Sequence, residues 1–152
     1  MTGKNASGAT RVLIVEDDAV FRVPLRAALA AEGYAVVAVG SAEAAETVLD
    51  HEAIDVVLSD QGLPDMDGTA LAARHPGTPF VLITGSPPDH TPGTALPPSV
   101  RGRLVKPFDV PHLLVVLREV VEAATREASG RDRTRAVNSH QQRGGSEANA
   151  GT

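Results

Sequence analysis

The sequence predicts an α/β fold in which a doubly wound parallel sheet of five strands carries helices on both faces. Short apolar, β-branched segments alternate with helical patterns along the chain, as they do in folds of this class. Four of these segments stop abruptly at a polar or charged side chain. Because parallel strands end at one edge of a sheet, these stops also predict where the functional site lies.

The first part of the chain contains two predicted strands and two predicted helices. The strands are residues 12–15 and Ala35–Val39. Pro24 predicts either a kink or a late start for the helix between them. That helix has an apolar face formed by Phe21, Leu25, Ala28 and Leu29. Ser41 is the predicted N-cap of the second helix, and Asp18 is predicted to cap the first.

The third strand, residues 54–58, leads directly to Asp60 and a turn-forming segment. A short helix over 69–75 ends before Pro76, and Phe80–Thr84 is the fourth strand. Asp65 and Asp67 are predicted to shape the turn around Gly68.

The last part of the chain begins with an irregular segment. Five prolines in residues 85–102 predict that no regular helix crosses it and that it is a mobile loop. Leu104 and Val105 form a brief fifth strand. Asp109 caps the final helix, whose inner face consists of Leu113, Leu117, Val120, Val121 and Ala124.

Composition restricts the class of protein. The 152 residues, 42% hydrophobic, fit one domain over 11–127, with disordered segments at 1–10 and 128–152. The absence of cysteine excludes disulfides and thiolate metal sites and fits a reducing compartment. A net charge of −5 argues against nucleic acid as a partner. Without an apolar run that suits a signal peptide or a membrane span, we expect a cytoplasmic protein with no membrane association.

The strand ends predict a cluster of charged side chains. Glu16 and Asp17 follow the first strand, Asp60 the third, Thr84 the fourth and Lys106 the fifth. Clustered carboxylates repel each other unless a cation lies among them, and oxygen ligands suit Mg²⁺. A hydroxyl and an ammonium group beside them can bind phosphoryl oxygens, and a carboxylate can act as the nucleophile.

Four segments resemble the receiver domain of two-component response regulators. They are residues 12–18, residues 60–68, Thr84-Gly85 and Lys106-Pro107-Phe108. The resemblance covers residues 11–124 and implies a flavodoxin-like fold with strand order 2-1-3-4-5. It also implies that Asp60 is the phosphoacceptor and that Mg²⁺ is the cofactor.

The resemblance assigns further roles to individual residues. Asp17 would bind Mg²⁺ directly and Glu16 mainly through water, with Asp60 and the carbonyl of Gly62 completing the protein ligands. Thr84 would be the switch hydroxyl, and Lys106 the cationic partner of the phosphoryl group.

The sequence also departs from the family pattern. Arg103 replaces the usual aromatic switch residue, and the proline-rich segment implies that the family's fourth helix is degenerate or absent. The resemblance further implies a cis bond before Pro107. The short third helix and these departures from the family pattern put the family's usual switch mechanism in question.

Three functions remain open. The first is a stand-alone response regulator, not an enzyme, that accepts a phosphoryl group on Asp60 from a histidine kinase or phosphotransfer protein and signals to another protein by contact. The second is a receiver-like interaction module without a phosphoryl cycle. The third is a Mg²⁺-dependent phosphatase with an aspartyl-phosphate intermediate, which the missing Asp-x-Asp motif disfavours.

Overall fold

A computed structural model describes residues 8–85 and 95–128. Five parallel strands form one sheet in the order β2-β1-β3-β4-β5, which confirms the predicted order. The strands are β1 (Arg11–Val15), β2 (Ala35–Val39), β3 (Val56–Asp60), β4 (Phe80–Thr84) and β5 (Val100–Val105). The helices are α1 (Ala19–Ala31), α2 (Ala42–His51), α3 (Gly68–Arg74) and α4 (residues 110–128). Of the two compact units of the chain, Met1–Val121 and Glu122–Thr152, the first contains the sheet.

Alternate side chains of each strand point to opposite faces of the sheet, and helices cover both faces. The sheet is therefore buried on both sides. On one side, Val12 and Ile14 of β1 pack with Leu25 and Leu29 of α1 and with Leu117 of α4. The other side consists of a second buried cluster, to which α2 and α3 contribute. Its members are Leu13, Val15, Ala42, Ala45, Val57, Leu71, Ala72 and Phe80. The alternation of strands and helices therefore produces the predicted doubly wound architecture.

The first helix confirms some of its predicted features and corrects others. The side chain of Asp18 accepts a hydrogen bond of 2.9 Å from the backbone N–H of Val20, as expected of an N-cap. The helix begins at Ala19 and contains Pro24, so a late start is wrong. Phe21 was expected in the core but is 51% exposed. The helical period assigns it to the inner face, yet its ring lies beside the ammonium group of Lys106.

The fifth strand is longer than predicted. It begins at Val100, so the prediction of an irregular loop up to residue 102 is wrong at that end. Arg101 and Arg103 are exposed, and only Leu104 of this strand is fully buried. Backbone pairing with β4 holds this edge strand, including a register shift at Phe80. The sequence of β5 lacks the continuous apolar run typical of a buried strand, and this is why its start was predicted too late.

Some predictions concern parts of the chain outside the described residues. These are the disorder of residues 1–7 and 129–152 and the mobility of residues 86–94. Residues 95–99, which are described, contain no helix. No helix within the described ranges is long and apolar enough to cross a membrane.

Replacement of Leu117 by Ala tests the packing of α4 on the sheet. Leu117 is completely buried, and we expect Leu117→Ala to lower the free energy of unfolding by about 2–5 kcal/mol. Val115, 53% exposed on the same helix, is the matched control, and Val115→Ala should change stability by about 0.5 kcal/mol or less. Urea unfolding measures both, and equal losses for the two variants would contradict this packing.

Candidate functional site at the carboxyl edge of the sheet

The sheet register brings the predicted polar residues to one edge. Val15 pairs with Ser59, so Glu16 and Asp60 follow at the same level. Asp60 pairs with Ile83, and Thr84 pairs with Val105, immediately before Lys106. The five side chains that the sequence places at strand ends therefore lie at the same edge of the sheet. They are Glu16, Asp17, Asp60, Thr84 and Lys106.

Three carboxylates form a cluster at this edge. One oxygen atom of each of Glu16, Asp17 and Asp60 lies within 4.8 Å of the others. Glu16 is 2% exposed, the side chain of Asp60 is 16% exposed and Asp17 is exposed. Oxygen ligands at this spacing suit a hard divalent cation, so this cluster could hold Mg²⁺.

Lys106 connects two of these carboxylates. Its Nζ atom lies 3.2 Å from Oε1 of Glu16 and 3.8 Å from Oδ2 of Asp60. The same atom is 4.6 Å from the centre of the Phe21 ring, within range of a cation–π interaction. The backbone N–H of Lys106 donates to the carbonyl of Thr84 at 2.8 Å, and its bond to Pro107 is cis, as the resemblance implied.

Several effects of opposite sign act on the pKa of the Glu16 carboxyl. Burial raises the pKa of the Glu16 carboxyl, while hydrogen bonds from the Asp18 backbone N–H and from Lys106 lower it. The negative charge of Asp60 raises it again, and the net pKa lies above the ordinary value. A cation among the carboxylates would offset the two effects that raise this pKa, which are burial and the charge of Asp60.

The loop after Asp60 folds back, so that Gly68 at its end lies close to Asp60 and Gln61 at its start. The N–H of Gly68 donates to the carbonyl of Gln61 at 2.7 Å, and Asp67 caps α3 by accepting from Thr69 N–H at 3.0 Å. A Cβ atom on Gly68 would lie 2.4 Å from the carbonyl oxygen of Asp60, which is far inside van der Waals contact. The first residue of α3 therefore fixes the backbone of Asp60, and only glycine fits there.

Asp65 has a role that the sequence did not reveal. Its two carboxylate oxygens accept hydrogen bonds from the backbone N–H groups of Ala42, at 3.0 Å, and Glu43, at 2.9 Å. Asp65 thus caps α2, together with Ser41, rather than only shaping the turn around Gly68. Its partners lie 23 and 22 residues away, so no local pattern indicates them. The capping bonds lower the pKa of Asp65.

An apolar cleft of about 410 Å³ opens beside the carboxylates. Val20, Phe21 and Pro24 of α1 form one wall, and Val110 lies at the start of α4. Glu16 and Lys106 form its polar end. The sequence does not reveal this surface, because Phe21 has the helical period of a core residue and its exposure is visible only in the structure.

Substitution of Gly68 tests the close approach of α3 to Asp60. We expect Gly68→Ala to lower the free energy of unfolding by about 1–3 kcal/mol, because the added methyl group collides with the backbone. Gly77→Ala is the control, since a Cβ atom there meets nothing within 4 Å. Urea unfolding measures stability, and NMR shifts of the Asp60 amide report its displacement. An unchanged midpoint and spectrum for Gly68→Ala would rule out this contact.

The cap at Asp65 predicts a pH dependence. Because folding lowers the Asp65 pKa below its ordinary value of 3.8, the charged cap stabilises the protein above that pH. This contribution disappears as the pH falls through the lower, folded pKa. Asp65→Asn removes the charge, so its stability deficit should be constant near neutral pH and shrink below about pH 4. A deficit that stays the same down to pH 3 in denaturant titrations would contradict the charged cap.

Comparison with known proteins agrees with this geometry. The family model of the response regulator receiver domain matches residues 12–118. Response regulator protein FleR of Pseudomonas aeruginosa is 40% identical over 110 residues, which cover 70% of this chain and 23% of FleR. Sensor kinase CckA of Brucella abortus is 32% identical over 123 residues, which cover 76% of this chain and 13% of CckA. The chain thus spans less than a quarter of the length of these two relatives.

Solved structures show the same fold. A CheY-like response regulator receiver domain from Methanospirillum hungatei matches with a TM-score of 0.72 and 28% identity, over 78% of this chain and 98% of that one. The signal receiver domain of an HD domain-containing protein from Pseudomonas fluorescens matches with a TM-score of 0.71 and 29% identity, over the same shares. With its five-stranded sheet and its cluster of carboxylates, the chain belongs to the response regulator receiver domain family.

Proposed function

We propose that this receiver domain accepts a phosphoryl group on Asp60 from a phosphohistidine of a histidine kinase or phosphotransfer protein. The observation that supports this best is the position of Asp60, at the end of β3 between an acid pair and an ammonium group. In this proposal the chain acts in the cytoplasm as a phosphoryl acceptor and binding module, not as an enzyme, and signals to a downstream protein by contact.

The chemistry needs one nucleophile and charge compensation. A carboxylate oxygen of Asp60 attacks the phosphorus atom, a P–O bond forms, and the P–N bond to the donor imidazole breaks. The bonding electrons leave with the imidazole nitrogen, which is then protonated from solvent. Lys106, already 3.8 Å from Asp60, remains beside the phosphoryl oxygens, and the hydroxyl of Thr84 moves to bind one of them.

The proposal includes Mg²⁺ as the cofactor. Asp17, Asp60 and the carbonyl of Gly62 would hold it directly, and Glu16 mainly through water. When bound, Mg²⁺ would neutralise charge on the phosphoryl oxygens. The support is the mutual proximity of the three carboxylates and the repulsion that Asp60 exerts on Glu16.

The apolar cleft supports a protein as the phosphoryl donor. Val20 is 75% exposed and Phe21 51% exposed, and both line the cleft that leads to Glu16 and Lys106. An exposed apolar surface beside polar groups is typical of a protein interface. We propose that the donor covers this surface while its phosphohistidine reaches Asp60.

Phosphorylation by a small donor tests the proposed function. We expect incubation with acetyl phosphate or phosphoramidate and Mg²⁺ to add one phosphoryl group to the wild-type chain, measured by intact mass. Asp60→Asn should abolish this addition, because the amide is not a nucleophile of this kind. Asp50→Asn, at an exposed position of α2, should retain it.

Omission of Mg²⁺ completes the test, since addition should then be lost or greatly slowed. An unmodified wild-type protein with metal and both donors would refute the proposal. It would favour the interaction module without a phosphoryl cycle, for which the exposed Arg103 on β5 is the supporting observation.

A further inference from the structure

We infer that Arg22 is a positioning residue, which holds the backbone of the acid pair so that its carboxylates can bind the cation. The Nη1 atom of Arg22 donates to the carbonyl oxygen of Glu16 at 2.8 Å and lies 3.4 Å from that of Asp17. This inference rests on the proposed function, because it concerns the same metal site. The proposed chemistry does not use this side chain.

The acid pair lies where regular backbone bonding changes. The N–H of Glu16 donates to the carbonyl of Val39 at 3.0 Å and continues the pairing of β1 with β2. The carbonyl of Asp18 accepts from the backbone N–H of Arg22 at 2.9 Å and belongs to the first turn of α1. Asp17 lies between these two systems. The guanidinium group therefore contacts carbonyls in the segment where the backbone leaves the strand and enters the helix.

Gly40 provides the space for this contact. A Cβ atom on Gly40 would lie 3.3 Å from Nη1 of Arg22 and 4.0 Å from the carbonyl oxygen of Glu16. The methyl group of an alanine would therefore displace the guanidinium group by a few tenths of an ångström. Because the displaced atom is the end of a flexible side chain, the fold should tolerate this change. Gly40 thus offers a second way to perturb the same hydrogen bonds.

If Arg22 acted only through its charge, its removal would have the opposite effect on Mg²⁺ binding. A fixed cation near a metal site opposes Mg²⁺ binding by repulsion, so removing it should strengthen binding. A positioning residue acts through its hydrogen bonds, and removing it should weaken binding. Within the described part of the chain, the side-chain contacts of Arg22 are hydrogen bonds to carbonyl oxygens and not ion pairs with the carboxylates. The sign of the change therefore separates the two explanations.

The experiment is a titration of the unphosphorylated chain with Mg²⁺, followed by NMR amide shifts or calorimetry. We expect Arg22→Ala to raise the Kd for Mg²⁺ about three- to tenfold, the equivalent of one lost hydrogen bond. Arg22→Lys retains the charge but lacks the planar fork of donors, so it should also weaken binding. Arg26→Ala, at an exposed arginine of α1, should leave the Kd unchanged.

Gly40→Ala is a second, independent test of the hydrogen bonds that Arg22 makes. Alone it should raise the Kd by less than Arg22→Ala does, and added to Arg22→Ala it should have no further effect, because no guanidinium group remains to be displaced. Melting temperatures without Mg²⁺ show whether each variant is folded, and Gly40→Ala keeps the test decisive if Arg22→Ala does not fold.

The possible outcomes separate a failure of the proposed metal site from a failure of the role inferred for Arg22. If the wild-type chain does not bind Mg²⁺, the metal site in the proposed function is wrong, and this inference fails with it. If the wild type binds Mg²⁺ but Arg22→Ala binds equally or more tightly, only the inference is wrong. Full additivity of Gly40→Ala and Arg22→Ala would also overturn it.

Discussion

The ammonium group of Lys106 is shared between carboxylates from two other strands, and the carboxyl edge of the sheet depends on this sharing. Glu16 follows β1 and is almost completely buried, so without a nearby cation its charge would be costly. Lys106 follows β5, the edge strand, with β3 and β4 between. The ion pair therefore reaches across two strand ends, and it requires the register of the whole sheet from β1 to β5 to be correct.

Much of this arrangement could be predicted because it is encoded locally. Apolar, β-branched runs identify the buried strands, and the residue at which each run stops lies at the sheet edge. The bounds of Ala35–Val39 and Phe80–Thr84 were correct, as were the caps at Asp18, Ser41 and Asp109. Parallel pairing then determines which side chains meet, so Glu16, Asp17, Asp60, Thr84 and Lys106 could be brought together from the chain order alone.

The features that could not be predicted depend on contacts between distant parts of the chain or on the backbone. Asp65 caps the start of a helix more than twenty residues earlier in the chain, and Arg22 donates to carbonyl oxygens, which every residue possesses. The start of β5 at Val100 depends on pairing with β4 rather than on apolar side chains. Phe21 has the period of a core residue, and only the three-dimensional structure shows that it is exposed.

The return of the β3–α3 loop to its own starting point has a consequence for engineering. Gly68 lies so close to the carbonyl of Asp60 that a Cβ atom there would collide with it, and the N–H of Gly68 donates to the carbonyl of Gln61, so the two ends of the loop are held together. An inserted reporter or affinity tag would separate these ends and move the Asp60 carboxylate. The turn at Gly77, at the opposite end of α3, has open space around its backbone and is the better place to lengthen the chain.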